Sequence, residues 1–175
     1  ADLLRRIDLD VSAYLAVKAL VSLLTAALSY AVMRMVSLDF AEFWAVLIFG
    51  LNFIPNVGSL VATALPTLVA LLQFDTLRPF LIVGLGVTAI QLVVANLVEP
   101  GLMGRRLNMS PLVVMLALVG WSILWGIPGA FLSVPMTAVV LIVLANIPAT
   151  RWIAVLLSRD GRTGAVTGDR TRTPE

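Results

Sequence analysis

Charged residues in this chain collect at the ends of long neutral runs, and those runs mark out four blocks. Val11 to Met33 carries a single charge, Lys18, and at roughly 23 residues is long enough to cross a hydrocarbon core of about 30 Å as a helix. Pro79 to Val98, roughly 20 residues and apolar apart from Thr88, Gln91 and Asn96, predicts a second crossing. The other two blocks, Phe43 to Phe74 and Pro111 to Thr150, are too long for one crossing, and each is interrupted near its middle by proline and glycine.

A helix broken in this way can return to the face it entered from. The leading arms, Phe43 to Ile54 and Leu112 to Trp125, would be only about 18 and 21 Å long as helices, short of a full crossing. The return arms, Ser59 to Phe74 and Ala130 to Ile147, are somewhat longer and contain Pro66 and Pro135. The pattern predicts two re-entrant helical hairpins, over 43–74 and 111–147, with tips at Ile54 to Gly58 and Gly126 to Gly129. Basic residues agree with that count. With two hairpins, Arg5, Arg6, Arg105, Arg106, Arg151, Arg159, Arg162, Arg170 and Arg172 share one face, which the bias of Lys and Arg makes cytoplasmic together with both termini. Only Arg34 and Arg78 lie opposite. The charge bias does not distinguish arms that cross fully from arms that dip partway, since both return the chain to the same face.

Composition fixes the solvent. With 60% hydrophobic residues, 13% charged residues and a mean hydropathy of +1.02, the chain has more apolar surface than a globule of 175 residues could hide, so the fold class is all-α integral membrane. Residues 1–157 form the membrane domain. The remainder, 158–175, has no apolar periodicity and reads as a disordered polar tail. ADLLRRIDLD mixes acids with arginines and is no secretory signal, and the missing initiator Met suggests a fragment or a processed chain. There is no cysteine and no histidine, which removes disulfide and thiol chemistry and the metalloprotease pattern. No cofactor or metal is expected.

The candidate chemistry sits at the interruptions. Backbone that leaves helical geometry inside lipid exposes N–H and C=O groups costing several kcal/mol each, so it must be sealed by protein or wetted. In GLNFIPNVGS, Pro55 removes a donor, Gly50 and Gly58 allow close approach, and Asn52 and Asn56 offer amides either to the freed backbone or to a polar solute. FIPNVGS is echoed by GIPGAFLS, and paired interruptions of this kind point to a transporter's binding region. A proline kink sealed by neighbouring helices is the structural alternative. Thr88, Gln91, Ala95 and Glu99, with Asn96 beside them, fall on one helical stripe. Glu99 is a candidate for ion or proton coupling, or else an interfacial acid paired with Arg105 or Arg106. Lys18 reads as snorkelling to the cytoplasmic interface. Ser22 one turn away suggests a Ser-Lys pair, but no third group or oxyanion hole supports it, so an enzyme is not expected.

LNFIPNVGSLVATALP, NLVEPGLMGRRLNMSPLVV, WGIPGAFLSVPMTAVV and ATRWIAVLL, in that order, resemble the C-terminal half of the autoinducer-2 exporter family, also called PerM-like permeases. Gly101 departs from a pattern that favours a basic residue there. The resemblance implies a multipass protein of the bacterial inner membrane and a homo-oligomer, a ring-like pentamer. It further implies export of a small polar solute such as a quorum-sensing signal by alternating access, or exchange of sodium for protons. On this reading Asn52, Pro55, Asn56, Gly58 and Ser59 at one tip, and Gly126, Pro128 and Gly129 at the other, touch the solute, while Gln91, Asn96 and Glu99 line the pathway. A membrane scaffold that transports nothing is the alternative from another class.

Overall fold

A computed structural model describes residues 2–103, 110–146 and Leu157, and among these every regular element is a helix. They are α1 (Asp2–Met35), α2 (Ala41–Leu51), α3 (Val57–Gln73), α4 (Leu77–Val93), a π-helical turn (Val94–Val98), α5 (Glu99–Met103), α6 (Pro111–Trp125) and α7 (Ile127–Asn146). Three stretches are long and apolar enough to cross a membrane: Val11–Met35, Leu77–Leu102 and Ile127–Leu144. The third was expected only as the return arm of a hairpin. Pro128 sits in the first turn of α7, where its missing N–H costs nothing, so the helix starts earlier than a break at Gly126 to Gly129 implies. Re-entry of the second hairpin therefore does not follow from its length. Arg105, Arg106, Ile147 and the 158–175 tail lie outside the described residues.

The chain divides into two compact units, one of residues 16–102 and one that includes α6 and α7. In the first, α1 ends in a tight cap. Ser37 takes a left-handed φ of 57°, its N–H bonds Arg34 O at 3.0 Å, and Leu38 N–H reaches back to Met33 O at 3.0 Å. Leu38 and Met33 both enter the core beneath that cap. Gln73 at the end of α3 clasps the same corner, accepting from Asp39 N at 2.8 Å and donating to Ser37 O at 3.1 Å. The outer ends of α1 and α3 and the start of α2 are thereby held at one level.

From that corner α2 runs back along α1, α3 returns, and α4 runs back again after a short extended link at 74–76. Small residues let these helices approach. α3 buries Gly58, Ala62, Pro66 and Ala70 at every fourth position, and Ala62 and Ala70 share one cluster with Ile48 of α2 and Val83 and Val87 of α4. A Cβ on Gly86 would lie 2.8 Å from the Val32 side chain, so α4 also rests on α1. In the second unit Ser110 caps α6 by accepting from Val113 N at 3.3 Å, with Pro111 as the first helical residue.

Candidate functional site

Along α1 the polar side chains Lys18, Ser22, Thr25 and Ser29 recur every three or four residues, on one face, and all are buried. The face runs about 16 Å along the helix axis. Thr25 satisfies itself through Val21 O at 2.8 Å, whereas the Ser29 hydroxyl has no hydrogen-bond partner. Ser22 accepts a hydrogen bond from Asn52 Nδ2 at 3.2 Å. Asn52 begins the turn between α2 and α3, so this bond gives the depth of the turn: about 20 Å along α1 from its Met35 end and about 16 Å from Val11. The turn reaches the middle of an apolar stretch long enough to span a bilayer.

The turn itself, residues 52–56, is held by its own backbone. Phe53 N bonds Gly50 O at 3.2 Å and Ile54 N bonds Leu51 O at 2.9 Å, continuing α2 as a tightening spiral. Val57 N bonds Pro55 O at 2.6 Å across Asn56, whose φ of 58° and ψ of −53° make a γ-turn of the rare, strained hand. The Asn56 carbonyl accepts from Leu60 N at 3.2 Å and from the Ser59 hydroxyl at 2.9 Å, and the exposed Asn56 side chain makes no capping bond to the helix. Gly58 has no room for a side chain: a Cβ there would come within 1.7 Å of Leu51 O. Gly58 and Ser59 thus belong to the first turn of α3, and Asn52, Pro55 and Asn56 form the unwound part.

One turn before Ser22, Lys18 Nζ meets Glu99 Oε1 at 2.6 Å. This overturns the snorkelling expectation for Lys18 and supplies Glu99 with a partner 81 residues away, while the alternative pairing with Arg105 or Arg106 lies outside the described residues. The Lys18 side chain is 8% exposed and that of Glu99 24%, so the ammonium is sealed while the carboxylate keeps an open side.

The single stripe expected for Gln91, Asn96 and Glu99 is split by the π-helical turn at 94–98. A π-turn inserts one residue and rotates everything after it by about 100° relative to a straight α-helix. Gln91, ahead of the turn, is buried with Nε2 unpartnered, while Asn96 within it is exposed and donates to Leu92 O at 2.8 Å. Thr88, also exposed, turns its hydroxyl back to Gly84 O at 2.6 Å. Glu99 is brought to Lys18 instead.

In the second unit the turn is Gly126 alone, at φ 66° and ψ −140°, a conformation that only glycine adopts readily. Gly126 and Pro128 are exposed, and Gly129 is buried against α6, where a Cβ would stand 1.9 Å from Trp121 O. An open groove of about 320 Å³ beside it is lined by apolar residues including Val113, Leu116 and Leu124. Its polar atoms are spent on each other, with Trp121 Nε1 donating to Thr137 Oγ1 at 3.0 Å. The sequence reading missed the polar face of α1. Four polar residues at helical spacing on an otherwise apolar helix were the available signal.

The family model for AI-2E family transporters matches residues 1–149. The chain is 42% identical over 154 residues to the AI-2 transport protein TqsA of Escherichia coli K12, covering 88% of this chain and 44% of that protein. It is 41% identical over 152 residues to a protein of Haemophilus influenzae and 36% identical over 152 residues to one of Borreliella burgdorferi, both named for transport with no cargo given. Those matches cover 87% and 86% of this chain and 43% and 42% of the relatives. The chain spans less than half the length of these proteins.

Proposed function

Because the chain belongs to the AI-2E family of transporters, we propose that it carries part of the translocation pathway of a secondary transporter for a small polar solute, working by alternating access. The observation that carries this is the Asn52 to Ser22 bond, which supports a re-entrant α2/α3 hairpin whose unwound turn lies near mid-depth of α1. The solute meets Asn52, Pro55, Asn56 and, in the first turn of α3, Gly58 and Ser59, where the positive end of the helix dipole favours an electronegative atom. In the second unit Gly126, Pro128 and Gly129 provide a solute contact of their own. Similarity to TqsA makes AI-2 one candidate cargo. The protein resides in the bacterial inner membrane with both termini cytoplasmic and assembles as a homo-oligomer, whose contacts cover part of the exposed apolar surface of α4 and α6.

Ion coupling is a second reading, and the largely buried Glu99 carboxylate favours it, because ionisable groups at membrane depth are rarely placed without use. Exchange of sodium for protons is its simplest form.

Cysteine labelling tests the pathway, since the chain has no native cysteine. Single replacements at Asn56 and Ile127 should react with an impermeant maleimide added from the water, and AI-2 or another transported solute should protect Asn56→Cys. A sealed Asn56→Cys would favour the scaffold. Flux in proteoliposomes under imposed sodium and proton gradients, in wild type and Glu99→Gln, tests coupling: loss of the gradient dependence is expected, and an unchanged dependence removes Glu99 from it.

A further inference from the structure

We propose that Ser29, Trp44 and Gln91 form an interior binding site for one neutral oxygen, that of a water or of a small hydroxylated solute, on the Met35 side of the α2/α3 turn. The site is separate from the contacts at the turn and stands whether or not the chain moves solute.

Three buried hydrogen-bonding atoms, Ser29 Oγ, Trp44 Nε1 and Gln91 Nε2, have no partner among the described residues. Ser29 is fully buried, Gln91 is 8% exposed, and the Trp44 side chain packs against the apolar core of the first unit. The pairing of the helices brings the three to one region. Tyr30 Oη donates to Glu42 Oε1 at 3.0 Å, and Asn52 Nδ2 donates to Ser22 Oγ at 3.2 Å. Between those two bonds the antiparallel α1 and α2 set Ser29 level with Trp44. Gly86 against Val32, and Glu99 on Lys18, fix α4 along α1 in the same way and put Gln91 level with Ala26 and Ala27, about 4 Å along the helix axis from Ser29. Side chains lean toward the N-terminus of their own helix, which for α4 is the Met35 side, so Gln91 leans toward the level of Ser29.

The chemistry of the three atoms selects the ligand. Unpaired polar atoms are costly in a protein interior, and three of them from three helices at nearly one level share one remedy. An indole N–H and an amide NH2 can only donate, whereas the serine hydroxyl can also accept. A hydroxyl or a water accepts from Trp44 and Gln91 and donates to Ser29, which satisfies all three with one oxygen. A metal cation would face two N–H groups. The ligand is also uncharged. Glu42, two residues from Trp44, is exposed and already held by Tyr30 and, at 3.8 Å, by Arg34, and Lys18 and Glu99 neutralise each other about 16 Å from Ser29 along α1. A buried formal charge at Ser29 would therefore lack a counter-charge.

Nitrogen-15 NMR of the indole groups, on the full chain in nanodiscs, tests the site; Trp44 is one of four tryptophans and is assigned with Trp44→Phe. In the absence of solute, the Trp44 indole proton should show a dipolar cross-peak to water. Ser29→Ala and Gln91→Leu should each shift the Trp44 signal and cut that cross-peak about twofold or more, since each removes one of three anchors. The Trp121 signal, whose indole bonds Thr137, should stay in place and reports that the variants fold. Glycerol, a neutral polyol, then separates the two sources. A Trp44 signal that shifts on its addition assigns the site to a solute hydroxyl, and a water cross-peak that glycerol leaves intact assigns it to water. The absence of both a water cross-peak and a glycerol shift overturns the proposal, and so does a Trp44 signal indifferent to both Ser29→Ala and Gln91→Leu. No readout involves flux. A protein that moves no solute but shows these signals loses the transport reading and keeps this site, while flux without them does the reverse.

Discussion

A Cβ on Gly58 would lie 1.7 Å from Leu51 O, and one on Gly129 would lie 1.9 Å from Trp121 O. Each hairpin, α2/α3 and α6/α7, sets the first turn of its return helix directly on a carbonyl of the helix before it. Around that shared contact the two differ. The first turn is several residues long, contains two asparagines and a strained γ-turn, and is bonded to a buried serine. The second is one glycine, flanked by the exposed Ile127 and Pro128, and leads into a helix long enough to cross a membrane. The close glycine belongs to the packing of any tight helical reversal, so it carries no information about cargo. Polarity at the turn, and what it bonds to, is the informative part.

That contrast can be broken in several places. The largest effect should come from the Lys18–Glu99 charge pair of the first unit. Lys18→Met or Glu99→Gln alone leaves a mostly buried charge uncompensated and should cost about 3–5 kcal/mol in reversible unfolding in detergent, with much of it recovered in the double variant. A fully additive double variant would mean that the two groups do not interact. Next, Gly58→Ala and Gly129→Ala should each destabilise by about 1–3 kcal/mol or more, since the added carbon meets backbone that must move. Tolerance at one and not the other would end the equivalence of the two contacts.

Asn52→Ala should cost about 1 kcal/mol through the lost bond to Ser22 and weaken solute binding more than Pro128→Ala does, since Pro128 offers a solute no side-chain hydrogen bond. Equal losses of affinity at both turns would restore a symmetric site. The smallest change is expected at Asn56→Gly, which relieves a positive φ and should raise stability by about 1 kcal/mol or less while slowing transport if the strain is used.

The all-helical class was legible from the neutral runs, because in lipid the helix is the simplest way to satisfy backbone groups. The Pro/Gly punctuation at Pro55 and Gly126 likewise fell where helices end. Two things were not legible. Lys18 near the end of an apolar run has the sequence signature of a snorkelling residue, and nothing local to it announces a carboxylate 81 positions away. The π-turn at 94–98 is also silent, since VANLV is compatible with plain α-helix, so Gln91, Asn96 and Glu99 were assigned to one face that the structure divides. Tertiary partners and helix register are set by contacts between elements. Of the candidate residues, those fixed by backbone geometry, such as Gly58 and Gly126, could be read from residue type, and those fixed by distant side chains could not.

The wide turn at 94–98 is a unit of slack. It stores one residue more than the rod requires, and such a surplus can slide along a helix by successive exchanges of neighbouring hydrogen bonds without ever opening the rod. Each step swivels the residue it passes by about 100°. Because the turn ends at Val98, directly before Glu99, its position along the rod decides which way the carboxylate that meets Lys18 is turned.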